Sequence, residues 1–413
     1  MAMFIGHVCN LINFIFYFMS MTIIWDKAPE IFQLGPFTLR WYNLLFVASF
    51  IFASPIWHYM FAKAGKEARE AERLIIYLTF GVVLGARLGH VVFYEWSHYK
   101  HHLLEIFLPV VFSPKFKVVG FAGLASHGAA IGIILAIFLY IKRISISVFP
   151  LRIAFKNRRP PEMFFWILDH LVILVALGGA FIRIGNFMNS EIIGKPTNAN
   201  YGVVFIRGLR DDLCGNYTSI IDNLDIRKAS IDHVAVTQDN FQPIQLTISF
   251  KDTIKDEQSI KKFLEGSLKN ILVRASYYDE PMVYETYGTP LTYTLSKQTE
   301  SVGYQAVVYT LGIPRHPAQL YESFSCFLVF IFLFLWWRKK GQTLAPGRML
   351  GAFMVIIFGL RFFYEFYKEN QSLFENQMFL NMGQLLSLPW IAAGLFLILR
   401  PEAKVKKKNN NLS

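Results

Sequence analysis

The sequence predicts an all-α polytopic membrane protein: seven transmembrane helices, a possible extra N-terminal helix, and a small α+β extracytoplasmic insert. Three observations carry this. Of the 413 residues, 54% are hydrophobic and only 17% charged, against about 25% charged in an ordinary globular domain. Apolar runs of about 20 residues, the length that crosses a hydrocarbon core, recur along the chain. Between roughly residues 195 and 315 those runs stop, and strand and short-helix patterns replace them. Disorder, coiled coil and collagen-like repeats are excluded by the same composition. A net charge of +12 would raise nucleic acid as a partner for a soluble protein. Here the basic residues sit in short loops between apolar runs, where they report topology, and no nucleic acid is expected. Cys9 and Cys326 fall in apolar runs and Cys214 in a polar region, which suggests neither a disulfide framework nor a metal site.

Taken in order, the first apolar run covers residues 4–24 and ends before Trp25. It lacks a basic n-region and a small-residue cleavage site, so it reads as an extra helix and not as a signal peptide. Residues 1–24 are set apart as a segment of uncertain role. The seven main runs are roughly 36–57, 74–94, 120–142, 163–184, 318–337, 349–368 and 382–399. Basic clusters follow alternate helices: Lys63, Lys66, Arg69 and Arg73; Lys142, Arg143, Arg152, Lys156, Arg158 and Arg159; Arg338, Lys339, Lys340 and Arg348. Lys404, Lys406, Lys407 and Lys408 form the tail. The positive-inside rule puts all four clusters, and the C-terminus, in the cytoplasm. The long central segment then lies outside. In it Ile244, Leu246, Ile248 and Phe250 alternate like a half-buried strand. Ile260, Phe263, Leu264, Leu268, Ile271 and Leu272 mark an amphipathic helix starting near Asp256. The expected organisation is 25–198 for helices one to four, 199–310 for the insert, 311–400 for helices five to seven, and 401–413 for the basic tail.

Ionisable residues inside a bilayer are expensive, so each needs a reason. On this topology Arg40, Tyr42, Arg87, His127, Arg183, Tyr321, Glu322, Arg361, Glu365, Gln384 and Ser387 all fall in the outer half, with Asn186, Asn189 and Glu191 just beyond Arg183. Singly, each has a plain account. Arg40 and Arg87 can snorkel or pack, a His at a helix start is commonly structural, and Arg361 and Glu365 stand four apart on one helix face. Asp169 and His170 fall near the cytoplasmic end of their helix. Together, guanidinium, imidazole, carboxylate and amide groups at one depth describe a polar cavity suited to a phospholipid headgroup. Gly85, Gly89, Gly120, Gly123, Gly128 and Gly132 read first as helix-packing positions.

The stretch Arg183-Ile184-Gly185-Asn186-Phe187-Met188-Asn189-Ser190-Glu191-Ile192-Ile193-Gly194 resembles the signature of the bacterial prolipoprotein diacylglyceryl transferases. Ordered blocks agree with it. They are Leu34-Gly35-Pro36 with Arg40-Trp41-Tyr42, Gly85-Ala86-Arg87-Leu88-Gly89, Ser126-His127-Gly128, Arg315-His316-Pro317-Ala318-Gln319-Leu320-Tyr321-Glu322, Arg361 with Glu365-Phe366, and Met382-Gly383-Gln384 with Ser387 and Pro389. The chain departs from the family pattern at Ala129 and Ile182, where Gly is usual, and at Lys195 and Lys368, where Arg is usual. Its outer segment is also longer than the family's arm.

The resemblance implies transfer of the diacylglyceryl group of phosphatidylglycerol to the lipobox cysteine thiol of a prolipoprotein, in the bacterial cytoplasmic (inner) membrane, with no cofactor. It implies catalytic roles for His127, Arg183 and Arg361, with Arg183 on the lipid phosphate and His127 as candidate general base. Tyr42, Arg87, Asn186, Asn189, Glu191, Gly194 and Glu365 would complete the substrate site. A phospholipid or solute transporter is the competing reading, because polar membrane cavities also mark transport paths. It predicts a polar route on to the cytoplasmic side, where the sequence offers little beyond Asp169 and His170.

Overall fold

A computed structural model describes residues 21–401 except 36, 108–109, 112–116, 119–124, 148–151, 200, 231, 233–239, 277–280, 298–302, 342, 370–374 and 376. Residues 4–20 of the first apolar run, Cys9, Pro36, Gly120, Gly123 and the lysines of the tail lie outside the described residues. The chain is mostly helical. In order it forms α1 (Trp41–Lys63), α2 (Ala68–Phe93), α3 (Ser126–Ile141), α4 (Met163–Met188), α5 (Arg207–Asn216), α6 (Glu257–Lys262), α7 (Lys269–Ser276), α8 (Ala318–Lys340), α9 (Arg348–Tyr364) and α10 (Met382–Leu399). Among the described residues, α1, α2, α4, α8, α9 (continued by a 3-10 turn to Tyr367) and α10 are long and apolar enough to cross a membrane, and α3 is a shorter apolar helix. The expected seven spans therefore become six helices of spanning length and one of 16 residues, whose predicted first residues lie outside the described set.

Helix ends moved where local chemistry overrode the apolar run. The strands β1 (Thr22–Trp25), β2 (Glu30–Leu34) and β3 (Phe37–Arg40) precede α1. β2 and β3 pair antiparallel, with Gly35 at φ +57° in the turn between them. A left-handed residue costs glycine nothing, so the turn holds residues 37–40 extended and delays the helix to Trp41. A second hairpin, β4 (Lys142–Ser147) with β5 (Arg152–Asn157), occupies the basic loop after α3, where hydropathy gave no strand signal.

The chain divides into two compact units. One comprises residues 30–185, 322–363 and 377 onward. Its core gathers Trp57, Phe61, Leu74, Ile137, Tyr140, Ile167, Leu333 and Trp337. Ile51, Phe52, Phe80 and Phe396 instead point outward and exposed, as lipid-facing side chains do. Over its most apolar window α4 is 56% buried and α10 only 17%, so α4 is the central helix and α10 a peripheral one. Helices α2 and α3 meet through facing glycines. A Cβ on Gly89 would lie 2.7 Å from the Gly128 Cα, and one on Gly81 would lie 2.7 Å from the Gly132 carbonyl oxygen. Small residues let backbones approach this closely where lipid supplies no hydrophobic drive between helices.

Asp169 and His170 are buried in this unit. Asp169 accepts the backbone N–H of Gly347 at 2.5 Å and of Leu350 at 2.8 Å, which makes it a cap for the first turn of α9 supplied from another helix. His170 Nδ1 donates to the Trp166 carbonyl at 2.7 Å and Nε2 accepts the Trp337 indole N–H at 3.0 Å. Their polar atoms are absorbed in helix packing.

The second unit comprises residues up to 29, 186–321 and 364–376. Its strands are β6 (Gly202–Phe205), β7 (Ile221–Lys228), β8 (Gln242–Phe250), β9 (Val283–Tyr284), β10 (Thr292–Lys297) and β11 (Tyr304–Gly312). A five-stranded antiparallel sheet runs β9-β11-β8-β7, with β10 also paired to β11, and β1 pairs parallel with β6. Ile244, Leu246, Ile248 and Phe250 all point into its core. The Asp256 carboxylate caps α6, accepting N–H from Gln258 at 3.1 Å and Ser259 at 3.0 Å. The single helix expected from there is interrupted: a π turn, Phe263–Leu268, separates α6 from α7, and the apolar face stays buried through all three. Lys269 and Glu285 form a buried pair at 2.6 Å, with the Thr310 hydroxyl donating to the second carboxylate oxygen at 2.9 Å.

The α2–α3 seam gives the first prediction. In Gly128→Val, the Cβ would fall 2.8 Å from the Gly89 Cα, against backbone that cannot yield. Overpacking of this kind costs about 1–3 kcal/mol, so thermal unfolding in detergent should show a lower midpoint, while Gly359→Ala, where a Cβ meets open space inside a helix, should leave it unchanged or slightly raised.

Candidate functional site

In the helical unit, Arg183 lies in the last turns of α4 and Glu322 in the first turns of α8, and Arg183 Nε meets Glu322 Oε2 at 2.5 Å. The Glu322 side chain is buried and that of Arg183 is 28% exposed, so the pair is anchored at its carboxylate while the arginine keeps part of its side chain exposed. The Ser323 hydroxyl donates to the Ala180 carbonyl at 2.9 Å, a second tie between the two helices. Gly185 faces Tyr42: a Cβ there would lie 2.8 Å from Tyr42 Cδ2, so only glycine admits that ring. Arg361 stands half-buried in the last turn of α9. Nearby on α10, Asn381 and Gln384 form a reciprocal capping box, and Gln384 Nε2 donates to the Phe362 carbonyl at 3.4 Å.

Arg87 is buried. Its Nε donates to the Ile106 carbonyl at 3.0 Å, its Nη2 to the Tyr99 hydroxyl at 3.1 Å and the Glu105 carbonyl at 2.7 Å, and the guanidinium lies over the Tyr99 ring. This is the packing account of Arg87: it fastens the 95–107 loop to α2. His127 is exposed in the first turn of α3, its ring edge-on to Phe93 at 4.9 Å and tilted against Tyr94 at 5.8 Å. Among the described residues no hydrogen bond fixes the orientation of that ring.

In the sheet-containing unit, the signature loop folds around Glu191. Asn186 Nδ2 donates to Glu191 Oε2 at 3.2 Å and Asn189 Nδ2 to Oε1 at 3.0 Å, so both carboxylate oxygens are held by amides. The Glu191 backbone N–H donates to the Asn186 carbonyl at 3.0 Å, and Gln319 Nε2 donates to the Glu191 carbonyl at 2.5 Å. Ser190 and Ile192, on either side of Glu191, have φ of 54° and 57°. For a β-branched residue that backbone is a genuine outlier, and strain of this kind clusters at functional sites.

Beyond the loop, Gly194 and Lys195 run into a small interlocked cluster. The Gly194 N–H donates to the His316 carbonyl at 3.1 Å, the His316 N–H to the Lys195 carbonyl at 3.0 Å, and the Lys195 N–H to the Tyr367 carbonyl at 2.8 Å. A side chain on Gly194 would collide with His316, its Cβ 2.7 Å from that of His316. Arg315, fully buried, donates from Nη1 to the Gly194 carbonyl at 2.9 Å and to Glu369 Oε1 at 2.8 Å, and from Nε to the Pro281 carbonyl at 3.0 Å. Lys368, which stands where the pattern has Arg, is buried with its Nζ 3.3 Å from Glu365 Oε1, and Lys195 Nζ donates to the Phe366 carbonyl at 3.2 Å. At both positions where lysine replaces the usual arginine, it thus serves as a point charge with a local partner.

Among the sequence-predicted residues, Asn186, Asn189, Glu191, Gly194 and Glu365 fall in this unit, and Tyr42, Arg87, His127, Arg183 and Arg361 in the helical one. Hydropathy nominated Glu322 without recognising it as the partner of Arg183. Arg315 and His316 open one of the blocks that resemble the family, yet hydropathy gave them no site role because they precede the apolar run of α8. The signal was the Arg-His-Pro triplet, whose proline starts a helix while two charge-capable residues stay outside it.

A family model described as prolipoprotein diacylglyceryl transferase matches residues 29–250 and 281–400. The unmatched stretch contains α6, the π turn and α7. Proteins named phosphatidylglycerol–prolipoprotein diacylglyceryl transferase are similar to the chain. That of Bacteroides fragilis is 27% identical over 378 residues, 91% of this chain and 94% of the relative. That of Tolumonas auensis is 27% identical over 379 residues, 91% and 96% of the two chains. That of Protochlamydia amoebophila is 30% identical over 332 residues, 80% of this chain and 57% of the relative.

The strained loop yields a prediction of its own. Ile192→Gly relieves a left-handed β-branched residue whose cost is of order 1–3 kcal/mol, offset in part by the greater freedom of glycine in the unfolded chain. Thermal unfolding should show an unchanged or slightly higher midpoint, whereas Ile192→Val, still β-branched, should gain nothing.

Proposed function

The chain belongs to the prolipoprotein diacylglyceryl transferase family, and from that premise we propose how its residues carry the reaction. It is a transferase of lipoprotein biosynthesis and a multi-pass membrane protein, moving the diacylglyceryl group of phosphatidylglycerol to prolipoproteins. The acceptor is the lipobox cysteine thiol. A thioether forms at the glyceryl carbon, the C–O bond to phosphate breaks, and glycerol 1-phosphate departs.

Attack at carbon makes two demands. The thiol, with an ordinary pKa of about 8.5, has to lose its proton. The departing phosphate monoester has to be held by preorganised cations while charge builds on it. The observation that carries the second role is the Arg183–Glu322 pair: a guanidinium oriented by a buried carboxylate within an apolar helix bundle, with its own side chain partly open. Guanidinium groups match phosphate with two parallel hydrogen bonds. Arg183 takes the lipid phosphate, Arg361 acts as the second clamp on headgroup and leaving group, and Tyr42 donates to lipid oxygens. Asn186, Asn189 and Glu191 shape the headgroup's glycerol side, on a loop that Gly194 and the Lys368–Glu365 pair secure. The hydrogen bonds of Arg87 to the 95–107 loop favour a supporting role for it.

The chain resides in the bacterial cytoplasmic (inner) membrane with α3 as a seventh span, its C-terminus cytoplasmic and its chemistry in the outer half. Basic–aromatic stacking at one end of the helical unit supports that orientation. Lys63 stands over Trp337 and Lys66 over Trp166, Arg400 lies against Phe165, and Lys63 also donates to the Arg338 carbonyl. Three separate basic segments thereby meet at one end, as the positive-inside rule requires.

Reconstitution with phosphatidylglycerol vesicles and a lipobox peptide tests the reading; absence of thioether product would sink it. Arg183→Lys should lose about 10²-fold or more in kcat/KM although charge is kept, the loss expected when a transition-state donor pair is removed. Near-normal turnover would make Arg183 a bystander. Arg361→Ala should be comparably impaired at normal insertion levels, and full activity there would remove it from the clamp.

A further inference from the structure

The β4–β5 hairpin takes no part in the transfer reaction, yet its register sorts its residues by polarity. The strands pair Lys142 with Asn157, Arg143 with Lys156, Ile144 with Phe155, Ser145 with Ala154, Ile146 with Ile153 and Ser147 with Arg152. Directly paired residues share a face of an antiparallel ribbon, and successive residues alternate between faces. One face therefore collects Ile144, Ile146, Ile153 and Phe155, and the other Arg143, Arg152 and Lys156 with Ser145, Ser147 and Ala154. We propose that this ribbon is an interfacial anchor, lying in the plane of the membrane and binding the anionic phospholipid headgroups of the cytoplasmic leaflet. The proposal rests on the cytoplasmic placement of this end of the helical unit, given above.

The base of the ribbon is fastened where the helices end, within the helical unit alone. Helix α3 runs directly into β4, Ile141 being followed by Lys142. After β5 the backbone N–H groups of Arg158 and Arg159 both donate to the Ile141 carbonyl, at 2.9 and 3.2 Å. The Arg159 guanidinium lies over the Tyr140 ring at 3.7 Å, donates to the Tyr140 carbonyl at 2.7 Å and reaches Glu70, in the first turn of α2, at 3.9 Å. Lys66, just before α2, is the residue that stands over Trp166. The ribbon thus leaves the bundle at the end where basic residues stack on aromatic rings.

Water and hydrocarbon both suit such a ribbon badly. An isolated two-stranded hairpin is marginal in water, and among the described residues this one pairs with no other strand. In hydrocarbon its two open edges would leave backbone N–H and C=O groups unanswered. Its strands of six residues also fall short of the about nine that cross a bilayer. At the headgroup boundary the apolar face enters the acyl region, the edges stay wet and the basic face lies among phosphates, the arrangement that holds amphipathic segments on membranes. Charge complements it. From Lys142 to Arg159 there are six basic residues and no Asp or Glu, the polybasic pattern that an anionic leaflet attracts. A reaction whose donor is phosphatidylglycerol takes place in a bilayer that contains anionic lipid.

The test is hydrogen exchange of the full chain in nanodiscs, read over residues 142–157. The hairpin amides should exchange about tenfold more slowly in phosphatidylglycerol discs than in phosphatidylcholine discs, and equally slowly in phosphatidylserine discs, because charge is what the ribbon meets. Salt at about 0.5 M, which shortens the screening length to a few Å, should remove most of that difference. The triple variant Arg143→Gln, Arg152→Gln, Lys156→Gln should lose it at low salt, with thioether formation in detergent unchanged. Equal exchange of the parent protein in phosphatidylcholine and phosphatidylglycerol discs would overturn the proposal and put the apolar face against the chain's own helices or a second copy. Slowing by phosphatidylglycerol alone would overturn it as well, in favour of a site for that one lipid. Discs present both leaflets, so failure of the cytoplasmic placement reads differently: trypsin added to sealed right-side-out vesicles would then cut within the basic tail. Failure of the transferase reading would show as absent thioether from the parent protein, whatever the hairpin does.

Discussion

A cation inside an apolar helix bundle has to be answered by a carboxylate of the same bundle, and the Arg183–Glu322 pair is that answer. An isolated charge there would cost several kcal/mol, so the pair fixes how α4 and α8 are rotated against each other. The hydrogen bond from Ser323 to Ala180 and the close approach of Gly179 to Cys326 hold the same seam. Because α4 is the most enclosed of the spanning helices, its rotation is shared by whatever packs on it, Tyr42 against Gly185 included. A buried ion pair is weak grounds for stability, since well-packed apolar side chains would do as well. Its retention here makes sense as orientation: the carboxylate takes Nε and aims the planar fork, which an apolar replacement could not do.

The signature loop solves a different problem by local means. Glu191 is exposed, yet each of its oxygens accepts an amide from within five residues. Holding it so requires the chain to turn back twice, which accounts for left-handed backbone at Ser190 and Ile192. Neither residue has glycine's freedom, so the strain is borne by the surrounding hydrogen bonds, chiefly those of Gln319 and the Gly194–His316 pairing. Arg315 extends this bracing, since one buried guanidinium ties the Gly194, Pro281 and Glu369 segments.

What the sequence could tell followed from periodicity and length. The apolar runs located α4, α8 and α10 to within a few residues, and the alternation from Ile244 to Phe250 gave β8, because those signals are properties of single segments. The start of α1 was misjudged because a backbone pairing, β2 with β3, competes with helix over residues that are equally apolar in either state. The π turn between α6 and α7 leaves the apolar face unbroken and so has no periodic signature. The site divides in the same way. Arg183 stood out as a charge in an apolar run, whereas its partner depended on how two helices 130-odd residues apart come together. Arg87 stood out for the same reason as Arg183, but only coordinates reveal that its donors go to the Ile106 and Glu105 carbonyls.

The two histidines make the point chemically. His127 attracted attention because a titratable ring at a membrane depth is rare and costly. Rarity argues that a residue is used, not that it moves a proton. A general base needs a defined tautomer, a fixed ring and a neutral resting state, and each is supplied by neighbours distant in sequence. For His316 the Gly194–Lys195 backbone holds both sides of its peptide unit and Tyr201, Tyr321 and Tyr367 enclose the ring, while the Tyr321 hydroxyl at Nδ1, able to donate or accept, orients the imidazole without choosing its tautomer. For His127 they are Phe93 and Tyr94, rings that pack against an imidazole without choosing which nitrogen carries the hydrogen. The difference between the two histidines therefore lies in their contacts: backbone pairing and three rings fix where the His316 imidazole sits, whereas among the described residues ring packing alone holds that of His127.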